Sequence, residues 1–265
     1  MKKRFLCPSL PKPHAPVLLT EEESHHALKV MRLQDGDLVE AIDGKGHWAC
    51  AKLRSRGVPP QLEWIEPEAN GLFARESQLP GPSNPLILEM AVLKAPAMEW
   101  IVEKAVELGI HVFVPVLTDH TVIQIKSKGP EAFRQRWQKI ADQSLKQCGR
   151  LERMEVSEPI YLTDLITQTS TQTEKMRIWC DETSQKDSPY LLNWLESTQP
   201  SSIEVRVLIG PEGGWSQNER RLLSTSKQTT KIHLGSVIFR AETAALFSTS
   251  VVSAFLWGRV FFNRS

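Results

Sequence analysis

Apolar and polar positions follow two different rhythms along this chain, and the change of rhythm divides it. From Leu38 to Asp43 the two kinds alternate, Asp43-Gly44-Lys45-Gly46 turns the chain, and His47 to Leu53 takes up the alternation again. A two-residue period broken by a glycine-rich tetrad predicts a β-hairpin. Glu22 to Met31, ahead of it, has the spacing of a short helix. Short strands over so short a segment close most readily as a small barrel or sandwich.

Further on the period changes. Met98, Ile101, Val102, Ala105 and Leu108 recur at helical spacing, and Gly109 follows where a helix end favours glycine. Phe133, Trp137, Ile140, Ala141, Ser144, Leu145 and Cys148 mark a second helix closed by Gly149. Ile110 to Leu117 is continuously apolar, as in a strand covered on both faces. Leu86 to Leu93, Arg177 to Cys180, Val205 to Ile209 and Lys231 to Leu234 are further strand candidates. Tyr190 to Leu195 suggests a short helix after Pro189. Ser216-Gln217-Asn218-Glu219 is a capping box that opens another, and Thr243 to Trp257 is a long apolar helix. Strands alternating with helices predict an α/β domain with a mostly parallel sheet and helices on both faces.

Glu66 to Pro85 separates the two rhythms. Pro67, Pro80, Pro82 and Pro85, with Gly71 and Gly81, interrupt any periodicity there. The expected organisation is therefore a small β domain over residues 1–70, a linker over 71–85 and a larger domain over 86–265.

Composition narrows the function. The 265 residues are 41% hydrophobic and 24% charged, ordinary for a globular protein, and no apolar run is long enough to span a bilayer. The basic start, Met1-Lys2-Lys3-Arg4, leads into no sustained apolar core, so a secretory signal is not expected and a cytoplasmic protein without a membrane partner is. Cys7, Cys50, Cys148 and Cys180 form no Cys-x-x-Cys pair, and neither they nor the seven histidines have metal-ligand spacing; free thiols and no metal are expected. The net charge of +1 excludes a generally basic nucleic-acid binder. Yet Lys126, Lys128, Arg134, Arg136, Lys139, Lys146, Arg150 and Arg153 outnumber Glu131, Asp142 and Glu152 in one stretch. That stripe suits either a phosphate backbone or a solvated helix face.

The chemistry concentrates near the C-terminus. No Gly-x-Gly-x-x-Gly follows the first strand of the large domain, and neither a Walker-type phosphate loop nor a Gly-x-Ser-x-Gly elbow occurs. Instead two glycine turns each follow an apolar run and precede a helix pattern: Leu208-Ile209-Gly210-Pro211-Glu212-Gly213-Gly214, and Leu234-Gly235 leading to Arg240-Ala241-Glu242. They are expected at adjacent strand ends of one sheet, where α/β proteins offer backbone to a ligand. Arg240 stands just before a helix N-terminus, whose dipole does not favour a cation, so its guanidinium calls for an anionic or polar partner. Glu242 is favoured there by the dipole, so a helix-end role and a chemical role both fit it. A non-catalytic binding protein and a nucleotide-cofactor oxidoreductase are the rival classes; the missing dinucleotide fingerprint speaks against the second.

LIGPEGGWSQNE (Leu208 to Glu219) and LGSVIFRAETAAL (Leu234 to Leu246) resemble the RsmE family. Its members are bacterial small-subunit (16S) ribosomal RNA uracil-N3 methyltransferases of the trefoil-knotted SPOUT class. His26 to Gly44 resembles the family's N-terminal PUA-like RNA-binding barrel, and Met98 to Pro115 and Arg136 to Arg150 resemble stretches leading into its catalytic domain. There are two departures. Asp119-His120-Thr121-Val122 stands where the family usually has an arginine-serine pair, and Lys94-Ala95-Pro96-Ala97 where it has lysine-glycine followed by charge. The resemblance implies a knotted domain, S-adenosylmethionine as methyl donor, 16S ribosomal RNA or the small ribosomal subunit as partner, and a homodimer. It implies donor contacts at Leu117, Gly210, Glu212, Gly213, Leu234, Gly235 and Ile238. It casts Arg240 as the group that stabilises charge on the uracil, and Glu242 as the group that accepts the proton or orients Arg240. RNA contacts are expected at His26, Arg32, Lys94, Lys139, Lys146 and Arg150. A ribosome-assembly factor that keeps the fold without catalysis is the alternative.

Overall fold

The computed structural model describes residues 3–66, 85–122, 129–169, 175–183, 188–200 and 203–262; positions 71–84 of the expected linker, and Lys126 and Lys128, lie outside them. The chain divides into two units, Met1–Leu79 with Asp142–Arg153, and Pro80–Ala141 with Met154–Ser265.

In the first unit the expected hairpin forms. Asp43 accepts hydrogen bonds from the backbone of Lys45 (2.7 Å) and His47 (3.1 Å), and Gly44 sits at φ 70. This fixes the turn between strands that pair antiparallel with Val39 opposite Ala51 and Ala41 opposite Ala49. The elements are β1 (Arg4–Leu6), β2 (Val17–Leu18), α1 (Glu21–His25) running on as a π-helical turn over His26–Val30, β3 (Leu38–Ile42), β4 (Trp48–Arg54) and β5 (Gln61–Trp64). Among the described residues the five strands form one mixed sheet in the order β1-β3-β4-β5-β2. Phe5, Leu19, Ala27, Val39, Leu53 and Leu62 are its buried core.

The second unit begins with β6 (Leu86–Ala91), buried along its whole length as its apolar run predicts, and α2 (Ala95–Glu107). Then follow β7 (Val112–Leu117), α3 (Pro130–Cys148), β8 (Glu155–Val156), β9 (Ile160–Tyr161), α4 (Leu162–Thr169), β10 (Lys175–Cys180), α5 (Leu191–Thr198), β11 (Glu204–Ile209), α6 (Gln217–Thr225), β12 (Thr229–Ile232) and α7 (Ala241–Phe262). Among the described residues the seven strands pair in parallel, in the order β12-β10-β11-β6-β7-β8 with β9 also on β7. Ile87, Val116, Trp179 and Leu208 meet Leu165 of α4 and Leu223 of α6 on one face. On the other, α7 packs against β6, β11, α2 and α5. Each large apolar side chain so buried contributes about 1.5–3 kcal/mol. The α/β, parallel, two-faced architecture is the one the periodicity predicts.

One expectation changes. The strands that carry the glycine turns are not adjacent: β10 lies between β11 and β12. Sequence order does not set neighbours in a parallel sheet, because each strand is reached by a crossover that can pass others. The sheet also holds a buried ionic group. The Arg177 guanidinium donates through Nε and Nη2 to the Glu89 carboxylate, which also accepts from Arg206 Nη1 at 2.8 Å.

The last turns of α3 belong to the first unit. There Lys146 pairs with Glu23 (2.7 Å), and Arg153 bonds both oxygens of Asp142.

Candidate active site

Gly210, Glu212 and Gly213 from the turn after β11, and Leu234, Gly235, Ile238, Arg240 and Glu242 from the segment after β12, line one cavity of ≈ 580 Å³. That volume suits a nucleoside-sized ligand. Its walls are made by local rules. Trp215 is buried edge-on to Trp179 and donates from Nε1 to the Cys180 carbonyl at 2.8 Å, which lays its indole under Gly210. A Cβ at Gly210 would stand 2.8 Å from the Trp215 ring, so only glycine fits. Gly214 adopts φ 68, and its amide closes the turn onto the Pro211 carbonyl at 2.9 Å. Ser216 and Glu219 then form the expected capping box and start α6.

Leu117 ends β7, half-buried, and does not line the cavity; β6 separates its strand from β11. The loop after it, also outside the cavity lining, bonds to the glycine turn. His120 Nδ1 lies 2.8 Å from the Gly214 carbonyl, which makes it the donor nitrogen, and its ring packs on Gly213. The Asp119 amide donates to Glu219 (2.9 Å), and its carboxylate accepts from the Ser216 hydroxyl. Asp119 and His120 thus tie this loop to the glycine turn.

Arg240 is exposed and Glu242 half-buried at the start of α7. Among the described residues neither side chain, nor that of Glu212, has a hydrogen-bond or ion-pair partner. Glu242 therefore does not hold Arg240 in place here. An arginine and a carboxylate left open beside a cavity are equipped to stabilise charge and to take up a proton.

Because β10 separates the two turns, its end supplies the wall between them: Cys180, Asp181 and Glu182, none of them anticipated. Three residues that leave a parallel strand at its C-terminal end were the available signal. Burial, with Asp181 nearby, pushes the Cys180 thiol up to about 12, so it is no nucleophile at neutral pH. Burial would raise the Asp181 carboxyl too, but hydrogen bonds from Arg220 and Thr183 outweigh it and hold the group below its ordinary value. His233 also lines the cavity, with its Nδ1 buried and without a hydrogen-bond partner.

The expected RNA contacts fall in both units. In the second, Lys94 is exposed just before α2 and Lys139 is exposed on α3. In the first, Arg32 is exposed at φ 52 and His26 stacks edge-on with Phe5 at 6.2 Å. Burial first, and Lys146 second, lower the His26 pKa, so its ring is neutral at pH 7. Arg150 is half-buried, and Lys146 is largely covered and ion-paired with Glu23, so its charge is already offset within the fold. Among the described residues no His, Cys, Asp and Glu group is arranged to hold a metal ion, and no helix is long and apolar enough to cross a membrane.

The family described as RNA methyltransferase domain matches residues 80–253, and the RNA methyltransferase PUA domain matches residues 19–57. Relatives named ribosomal RNA small subunit methyltransferase E include one from Bacillus subtilis, 27% identical over 89% of this chain and 88% of its own. Another, from Synechocystis, is 29% identical over 91% of this chain and 74% of its own. The same-named protein of Neisseria gonorrhoeae, solved bound to S-adenosyl methionine, shares the fold with a TM-score of 0.78 at 22% identity, over 97% of this chain and 98% of that one. Since the first match spans well over half of the residues, this chain belongs to the RNA methyltransferase domain family.

Proposed function

We propose that this protein transfers a methyl group from S-adenosylmethionine to N3 of a uridine in the 16S RNA of the small ribosomal subunit. The observation that carries this is the meeting of both glycine turns in one cavity, with Arg240 and Glu242 open beside it. The names of the relatives and the donor bound in the Neisseria gonorrhoeae structure support the same reading.

The cavity suits that donor. Ile209, Pro211, Leu234 and Ile238 offer apolar surface to a flat base, and the glycines leave backbone amides and carbonyls within reach of its polar edge. When bound, the donor supplies an electrophilic methyl group on a cationic sulfur. The rest falls to this chain. Uracil N3 lies on the Watson–Crick edge and carries a proton, so the base must be unpaired or flipped out before it is offered. Glu242 takes the N3 proton, and Arg240 stabilises the negative charge that spreads to O2 and O4. Holding N3 in line with the methyl group contributes much of the acceleration. His26, Arg32, Lys94, Lys139 and Arg150 are the residues we assign to RNA; Lys146 is left to Glu23.

We further propose that the larger domain carries a trefoil knot, that residues 1–70 bind RNA and residues 86–265, apart from the Asp142–Arg153 segment grouped with the first unit, form the catalytic domain, and that the protein works in the cytoplasm as a homodimer. Support for a dimer comes from Trp100, 40% exposed on α2 beside Leu246 and Glu242. Incubating the protein with small subunits and S-adenosylmethionine carrying a labelled methyl group tests the function. Mass spectrometry should find N3-methyluridine in the small-subunit RNA. Label absent from RNA would favour an assembly factor, and label at another position would refute the N3 assignment.

A further inference from the structure

β10 lies between the strands that bear the two glycine turns, so its C-terminal Asp181-Glu182 faces the middle of the cavity wall. We infer that Glu182 determines nucleoside specificity by accepting hydrogen bonds from the vicinal ribose hydroxyls of the donor. This rests on the reading of the cavity as the S-adenosylmethionine site.

The carboxylate is held but not used up. Its Oε1 accepts from Arg220 Nη2 at 2.6 Å, while Oε2 accepts no hydrogen bond from any described residue. The side chain keeps 34% of its surface exposed, and it lies so close to the glycine turn that a Cβ on Gly214 would meet Oε1 at 2.5 Å. Arg220 is itself fixed, because it bonds Asp181 and donates to the Trp215 carbonyl. The acceptor is therefore positioned before any ligand arrives, which lowers the ordering cost of binding.

Charge decides which part of the donor it suits. Asp181 and Glu182 carry two negative charges, and Arg220 and Lys231, the latter 3.5 Å from Asp181, carry two positive ones. The corner has no net charge, so an ammonium or sulfonium gains little there over water. A neutral hydroxyl gains a charge-assisted hydrogen bond. Glu212, exposed and without a cation, remains for the charged end. A carboxylate at the end of the strand beside a glycine-turn strand is also where open parallel sheets hold a ribose diol.

Calorimetry on the full chain tests this with S-adenosylhomocysteine and its 2′-deoxy and 3′-deoxy counterparts. The unaltered protein should lose on the order of 10-fold or more in affinity when a hydroxyl is removed. Glu182→Ala should weaken S-adenosylhomocysteine by on the order of 10–100-fold and bind all three compounds alike. Glu182→Gln, which keeps an acceptor oxygen, should fall between, and circular dichroism checks that both variants fold. Equal affinity of Glu182→Ala and the unaltered protein, or a deoxy penalty that survives in the variant, would overturn the inference while leaving the donor site standing. No binding of any of the three to the unaltered protein would remove the donor reading itself, and the inference with it.

Discussion

Glu89, Arg177 and Arg206 lie within the parallel sheet, and Glu212, Arg240 and Glu242 lie at the cavity beyond its strand ends. In the first group each guanidinium meets the shared carboxylate. In the second none has a partner among the described residues. The difference follows from desolvation. A charge inside the sheet that lost its partner would cost several kcal/mol, so the fold tolerates charge there only when paired. A charge at the rim keeps much of its water and stays available to a ligand. The charges paired inside the sheet serve the sheet, while Glu212, Arg240 and Glu242 at the rim are left for a ligand.

Several substitutions probe that contrast, beginning with the largest effect. Glu89→Ala strips the common acceptor from the buried Arg177 and from the partly buried Arg206, which keeps Glu204, and should cost about 3–5 kcal/mol of stability in denaturant unfolding. A stability loss of only a few tenths of a kcal/mol would show that the interior tolerates open charge after all. Glu242→Gln should do the reverse: about a 10²-fold loss in methyl-transfer rate, with stability changed by less than about 1 kcal/mol. A normal rate together with lowered stability would return this carboxylate to a helix-end role. Gly210→Ala drives a methyl group into the Trp215 ring and should cost about 1–3 kcal/mol. Its mark is weakened S-adenosylhomocysteine binding in calorimetry; unchanged affinity would detach this turn from the donor. His120→Ala removes the bond to the Gly214 carbonyl and should weaken the same binding by about 0.5–1.5 kcal/mol, the smallest effect of the series. No change would mean that the loop after β7 merely lies against the site.

The contrast was partly legible in the sequence, and the limit was distance along the chain. The Ser216 capping box, the buried run of β7 and the two strand-turn-helix passages are local patterns, and each formed where its pattern put it. Strand order is not local: placing β10 between β11 and β12 depends on crossovers, and this hid Asp181 and Glu182. Lys146 belonged to an evident basic stripe, yet it meets Glu23, 123 residues away in the chain. The two-residue strands β8 and β9 are too short for a period to emerge. The loop after β7 touches the glycine turn through His120, which lies beyond the strand end, whereas Leu117 is still paired with Tyr161 in the sheet.

The central claim is that the Gly210 turn holds the donor while Arg240 acts on the uracil. Measuring Arg240→Ala twice, by methyl transfer into small subunits and by S-adenosylhomocysteine calorimetry, addresses it most directly. Transfer should fall by about 10²–10³-fold, the loss seen when one charge-stabilising donor is removed, while donor affinity stays within about 2-fold, inside the spread of an ordinary surface substitution. Full transfer by this variant, or a loss of transfer matched by an equal loss of donor binding, would contradict the claim.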